Sequence, residues 1–175
     1  MFCLAKSIGL SLAVSVLTAF LSLGANVAFA LPEDSKQPIQ IDADAAELDE
    51  NKNLATYHGN VRMRQGTMQV TADKMTIELR DKTVVRITAE GNSAHYQQQL
   101  KPDESMVSAQ ARTITYYTQD ERVTLVGDAT LTQNNNKFTG AAINYDIRDG
   151  KVDAQAANDG KVQMILQPAV LGETR

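Results

Sequence analysis

Apolar and polar residues alternate along most of this chain. Ile39/Ile41, Val61/Met63, Met68/Val70, Met75/Ile77/Leu79, Val85/Ile87, Ile114/Tyr116, Val123/Leu125, Ala129/Leu131, Ile143/Tyr145/Ile147 and Val162/Met164/Leu166 all recur at period two. That period sets one side of an extended segment against a core and the other in water. β-Branched residues are frequent in these runs, and Gly, Asn and Asp separate them, as strands and turns require. No window sustains the i, i+3, i+4, i+7 apolar spacing of a helix, so a helical-repeat reading fails. The pattern predicts many short antiparallel strands with one face inward, in a sandwich or roll. Turns are expected at Asp49 to Asn53, Gly91-Asn92, Lys101 to Glu104, Asn134 to Asn136 and Arg148 to Gly150.

The runs also repeat. Gly59, Gly91, Gly127 and Gly160 each lead a similar short segment, at spacings of 32, 36 and 33 residues. Such a period points to one supersecondary unit that cannot bury its apolar face alone. Each unit reads as strands around a tight glycine turn, so the expectation is a stack of hairpins. A shift of 68 residues lays Gly59 on Gly127, Met63 on Leu131, Gln65 on Gln133, Thr71 on Thr139 and Met75 on Ile143 without a gap.

The first thirty residues read as a leader and not as part of the fold. Lys6 precedes an apolar run from Ile8 to Leu23, and Ala28-Phe29-Ala30 offers a small-x-small cleavage site. The expected organisation is a cleaved secretory signal peptide at 1–30, a flexible lead-in at 31–36, a β-domain at 37–167 and a short tail at 168–175. The single cysteine, Cys3, lies in the leader. The domain therefore relies on burial and backbone pairing, although an oxidising compartment would permit disulfides.

Composition removes several function classes. Setting aside Lys6, 16 basic residues face 21 acidic ones, and the basic residues are scattered singly. That is no nucleic-acid footprint. The only two histidines, His58 and His95, are too few for a metalloenzyme of the cupin type, and no zinc spacing or phosphate loop is present. Asp44 and Asp73 each follow an alanine at the expected start of a strand, where solvation suits them better than paired-carboxylate catalysis. No catalytic residue, metal ligand or cofactor is expected. Without Trp and with dispersed Tyr, the chain is also poor in the aromatics of a lectin. Met63, Met68, Met75, Met106 and Met164 suit irregular apolar space. That space can be a closed core or an adaptable groove between two sheets, and residue types leave both open.

Gln37-Pro38-Ile39-Gln40-Ile41-Asp42-Ala43-Asp44, then Gly59-Asn60-Val61, Gln65-Gly66-Thr67, Ala72-Asp73-Lys74 and Gly127-Asp128-Ala129, resemble in order and spacing the LptA/OstA family of periplasmic lipopolysaccharide transport proteins. The resemblance covers about residues 37 to 167. It implies an all-β fold, an open antiparallel β-jellyroll, and an apolar lining that includes Ile39, Ile41, Leu48, Tyr96 and Tyr116. The alternating runs add Met63, Met75, Leu131 and Ile143 to the expected lipid-binding set. Exposing a lipid A acyl chain of about a dozen carbons to water would cost on the order of 10 kcal/mol, so transit needs such shelter.

The resemblance further implies end-to-end stacking between an inner-membrane-anchored LptC-type protein and an outer-membrane LptD-type translocon. Open sheet edges serve that purpose. The edge residues expected to take part are Ile39, Gln40 and Ile41 on the first strand and Val162, Met164 and Leu166 on the last. His95 departs from the family pattern and is expected near the groove, beside Tyr96. Two other function classes fit the same scaffold. One is a periplasmic polysaccharide-binding protein or enzyme, and the other is a structural adaptor that pairs strands without lipid.

Overall fold

The computed structural model describes residues 34–100, 106–157 and 160–167. The leader, the turn expected at Lys101 to Glu104 and the tail after residue 167 lie outside the described residues. After a 3-10 turn at Asp34–Lys36 come ten strands: β1 Gln40–Asp42, β2 Ala45–Asp49, β3 Leu54–Gln65, β4 Met68–Arg80, β5 Thr83–Gln98, β6 Val107–Tyr117, β7 Arg122–Gln133, β8 Asn136–Asp146, β9 Lys151–Gln155 and β10 Gln163–Ile165. They form one open antiparallel sheet, ordered β1-β3-β4-β5-β6-β7-β8-β10, with β2 also on β3 and β9 also on β8.

The strands β3 to β8 are long, 11 to 16 residues each, where the sequence pattern suggested short ones. The difference lies in the repeated glycines. Gly59, Gly91 and Gly127 are not hairpin turns. They sit in mid-strand, where the pairing register shifts between His58 and Val61, between Glu90 and Ala94, and between Val126 and Ala129. Each is a bulge on an odd-numbered strand. Their spacing of about two strands is the hairpin period. Gly59 and Gly127 have φ of 75° and 84°, followed by Asn60 at 49° and Asp128 at 51°, a stretch of left-handed backbone that glycine opens without steric cost. The hairpin turns themselves use other positive-φ residues, such as Asp81-Lys82 and Asn134-Asn135. Those at Asp49 to Asn53, Asn134 to Asn136 and Arg148 to Gly150 fall where expected; Gly91-Asn92 does not.

The bulges align into a seam across the sheet, and the sheet folds over along it. Gln133 lies at the β7–β8 turn, and Tyr145 lies at the opposite end of β8. A straight strand would hold Asn136 and Tyr145 about 30 Å apart, yet Gln133 Nε2 donates to Tyr145 Oη at 3.0 Å. Strands that bend at bulges and pass from one layer to the other build such two-layer cores. One half carries β1 and β10 at its ends, and the other carries β2 and β9.

The shift of 68 residues has a structural counterpart. It carries β3 onto β7, β4 onto β8 and one bulge onto the other, so the β3–β4 hairpin is repeated two hairpins later. The outward face is polar. Thr56, Thr76, Thr88, Thr115 and Thr124 stand side by side across five strands, where β-branched hydroxyls combine strand preference with solvation. Lys74–Glu90 at 3.1 Å and the Arg86–Glu78 pair add cross-strand attraction at exposed positions, which is worth little in water.

Candidate functional site

The inner face of the folded sheet is apolar from end to end. Cross-strand partners share a face, so the register defines three rows. The first runs Ile41, Met63, Val70, Tyr96, Ala109, Leu131, Phe138, Met164. The second, past the seam, runs Tyr57, Met75, Ala89, Ile114, Leu125, Ile143, Ala154, and the third runs Leu48, Ala55, Ile77, Ile87, Tyr116, Val123, Tyr145, Val152. Among the described residues no polar or charged residue is buried with them.

Of the expected lining, Met63, Met75, Tyr96, Leu131 and Ile143 lie in this interior, each 2 % exposed or less. Ile39, Ile41 and Tyr116 are half-buried and pack against it. Leu48 does not join them: it is 64 % exposed on β2, the outermost strand of its half. The side chains fill the space between the halves. The sheet is nonetheless not a closed barrel, because β1 and β2 at one end do not pair with β9 and β10 at the other.

The seam is lined by Val61, Ala72, Ala94, Ala111 and Ala129, all buried. Ala94 faces Ala111, and Ala129 faces Gly140. Where two layers converge on a fold there is room only for small side chains, so alanine here is a geometric requirement. The hydrophobic pattern passed over these positions because alanine is a weak apolar signal. Asp44 and Asp73 brace the seam from outside. Asn60 Nδ2 donates to Asp44 Oδ2 at 2.8 Å, and the Asn92 backbone N–H donates to Asp73 Oδ2 at 3.0 Å. Asp73 therefore sits in mid-strand on β4, not at the start of a strand as expected.

Away from the seam, three tyrosines meet at the lips of the fold. Burial raises the Tyr96 phenol well above its ordinary value, with smaller contributions from Tyr116, Tyr145 and Asp34. Tyr96 belongs to one half and the other two to the facing half, so their mutual influence reflects the same closure as the Gln133–Tyr145 bond. Burial also raises Tyr116, with Glu121 and Asp34 adding to it. Tyr96 Oη donates to Gln98 Oε1 at 2.5 Å. His95, the neighbour expected near the groove, points the opposite way and is exposed, as is His58. The alternation that buries Tyr96 turns His95 outward.

The two ends of the sheet differ in their apolar display. On the β10 side Val162, Met164, Ile165 and Leu166 are 41, 54, 44 and 62 % exposed. On β1, Gln40 and Asp42 are exposed and Ile41 is half-buried. Both strands have a free outer edge. No group of three or more His, Cys, Asp or Glu among the described residues is arranged to hold a metal ion, and no helix among them is long and apolar enough to cross a membrane.

Comparison with known proteins fits this architecture. The family described as "LptA/(LptD N-terminal domain) LPS transport protein" matches residues 40–151. The lipopolysaccharide export system protein LptH of Pseudomonas aeruginosa is 35 % identical over 156 residues, covering 84 % of this chain and 89 % of that protein. LptA of Escherichia coli K12 is 31 % identical over 169 residues, covering 94 % and 87 %. The crystal structure of the Pseudomonas aeruginosa LptH, titled as the LptA-homologous periplasmic component of the lipopolysaccharide transport device, superposes with a TM-score of 0.72 at 34 % identity, covering 78 % of this chain and all of that one. These relatives are transport proteins and not enzymes. With a folded, open, wholly apolar-lined sheet and these relatives, the chain belongs to the LptA/(LptD N-terminal domain) family of lipopolysaccharide transport proteins.

Proposed function

We propose that this protein is a periplasmic lipopolysaccharide carrier that shelters lipid A acyl chains between the two halves of its folded sheet. The observation that carries the reading is the unbroken apolar inner face, with no buried polar group among the described residues and with both ends of the sheet unpaired. An acyl chain laid along the three rows meets only methyl, thioether and ring surface. Its own side chains fill the interior at rest, so loading parts the halves about the alanine-lined seam. Methionines 63, 68 and 75 then repack around the guest.

The free edges supply the second half of the role. β1 of one copy adds to β10 of the next, head to tail, using Ile39, Gln40 and Ile41 against Val162, Met164 and Leu166. A heterologous contact of that kind propagates into filaments. An LptC-type membrane-anchored protein and an LptD-type translocon are the partners that would take the same edges at the two ends of a bridge. Photo-crosslinking side chains placed at Ile41 or Tyr116 in cells should trap lipopolysaccharide, and the same side chains at the exposed Arg80 or Arg148 should not. Equal adducts from all four sites, or none from Ile41 and Tyr116, would reject the carrier reading. The strand-pairing adaptor would then remain.

A further inference from the structure

The turn Asp34–Lys36 precedes the sheet, yet its carboxylate is one of the best-connected groups in the molecule. Asp34 Oδ1 accepts from the Thr67 backbone N–H at 2.8 Å, and Oδ2 accepts from Thr67 Oγ1 at 2.6 Å and from Gln98 Nε2 at 2.6 Å. Gln65 Nε2 donates to the carbonyls of Ser35 at 3.3 Å and Gln37 at 3.0 Å. The segment thus lies across the β3–β4 hairpin and the end of β5, at the lip where the halves of the sheet meet. Its seat is Gly66, where an added Cβ would fall 2.0 Å from Asp34 Oδ1 and 3.1 Å from Asp34 Cα. Only a residue without a side chain lets the segment lie so close.

Two features separate this segment from an ordinary lead-in. It is held by polar contacts alone: it buries no residue of its own and pairs with no strand. And one of those contacts reaches the core, because the Gln98 amide that binds Asp34 also accepts from the hydroxyl of Tyr96, which is 2 % exposed. Asp34, Gln98 and Tyr96 form a line from solvent to the apolar interior.

We propose that Asp34–Gln37 is a releasable strap that holds the lip of the folded sheet shut at Tyr96 and must let go before an acyl chain enters there. The proposal rests on the carrier reading. With the strap seated, the lip is shut and the apolar rows are screened from water. With the strap released, Gln98 loses its outer partner and Tyr96 is free to swing with its half of the sheet. A guest that binds only the released state meets an apparent affinity reduced by the released fraction.

The test uses the chain with Cys3→Ser and the pair Asp34→Cys and Thr67→Cys, whose parent side chains are already in contact. Uptake of a fluorescent lipid A analogue is measured with the pair oxidised and then reduced. Oxidation should lower uptake about tenfold or more, and reduction should restore it. Asp34→Asn, which removes one acceptor without a crosslink, should load faster than the parent while unfolding at nearly the same temperature. Equal uptake by the oxidised and reduced pair would overturn the strap and leave the carrier intact. Failure of the parent and the reduced pair alike to take up the analogue would overturn the carrier reading, and the strap with it.

Discussion

Tyr96 places an ionisable group where ionisation is least tolerated. Burial is the first cause of its raised value, so the folded state holds the phenol neutral and the unfolded state releases its proton near the ordinary value of about 10. The sign follows from linkage: a raised folded value contributes stability that is complete below about pH 10 and is lost as pH climbs from there through the folded value. Thermal melts taken across that range should show a steep alkaline loss in the parent and a shallower one in Tyr96→Phe. At neutral pH the same substitution should cost only about 1 kcal/mol, the worth of the bond to Gln98. Met75→Ala, at a site with no exposure, should destabilise by ~2–5 kcal/mol in urea unfolding. Leu48→Ala, at 64 % exposure, should stay within about 0.5 kcal/mol of the parent. Single residues of this kind were legible in part. Alternation placed Met63, Met75, Tyr96, Leu131 and Ile143 on the inner face. It also placed Leu48 there, since period two reports the face of a strand and not whether another layer covers it.

Strands and bulges show where sequence reasoning stopped. A glycine followed by Asn or Asp reads as a hairpin turn, and Asn134-Asn135 and Gly150 obey that rule. Gly59-Asn60 and Gly127-Asp128 use the same left-handed backbone inside a strand, with the chain continuing forward. Local chemistry is alike in both cases. What differs is whether the next residues return along the same partner, a long-range fact. The 68-residue self-match did survive, because it compares whole hairpins and is blind to how each glycine is used. The seam makes two predictions. Gly127→Ala should destabilise by more than Gly150→Ala in the same unfolding assay, although both have positive φ. A Cβ at Gly127 falls 2.5 Å from Arg112 Nε, whereas one at Gly150 meets nothing within 4 Å; the shared backbone strain is worth about 1–2 kcal/mol. Ala111→Leu should cost ~1–3 kcal/mol by wedging the fold open.

At the scale of the molecule, the acidic balance of the chain and its apolar interior separate two sources of affinity for an anionic glycolipid. Burial of acyl chains is insensitive to ionic strength, while charge pairing is screened within about 10 Å at 0.1 M salt. Binding of lipid A measured at low and high salt should therefore change little; a steep fall would shift the weight to phosphate contacts. Sedimentation across protein concentrations should reveal growing oligomers that vanish when residues 160–167 are removed, and a strictly monomeric parent would contradict head-to-tail addition. The jellyroll class was legible from pattern and resemblance together. The closing of the lip was not, because Asp34 meets Thr67 and Gln98 across 33 and 64 residues of sequence and none of the three carries an apolar signal.

Neither end of the sheet finishes in one strand. β1 and β2 share the rim of β3, one on each side of the crease, and β10 and β9 share the rim of β8 in the same way. A newcomer therefore meets two short ledges set at an angle to each other. Engaging both dictates its rotation as well as its position, and a slip of one residue on either would turn its greasy side outward. Copies joined by that rule would carry the crease straight through every joint, like the spine of a bound book.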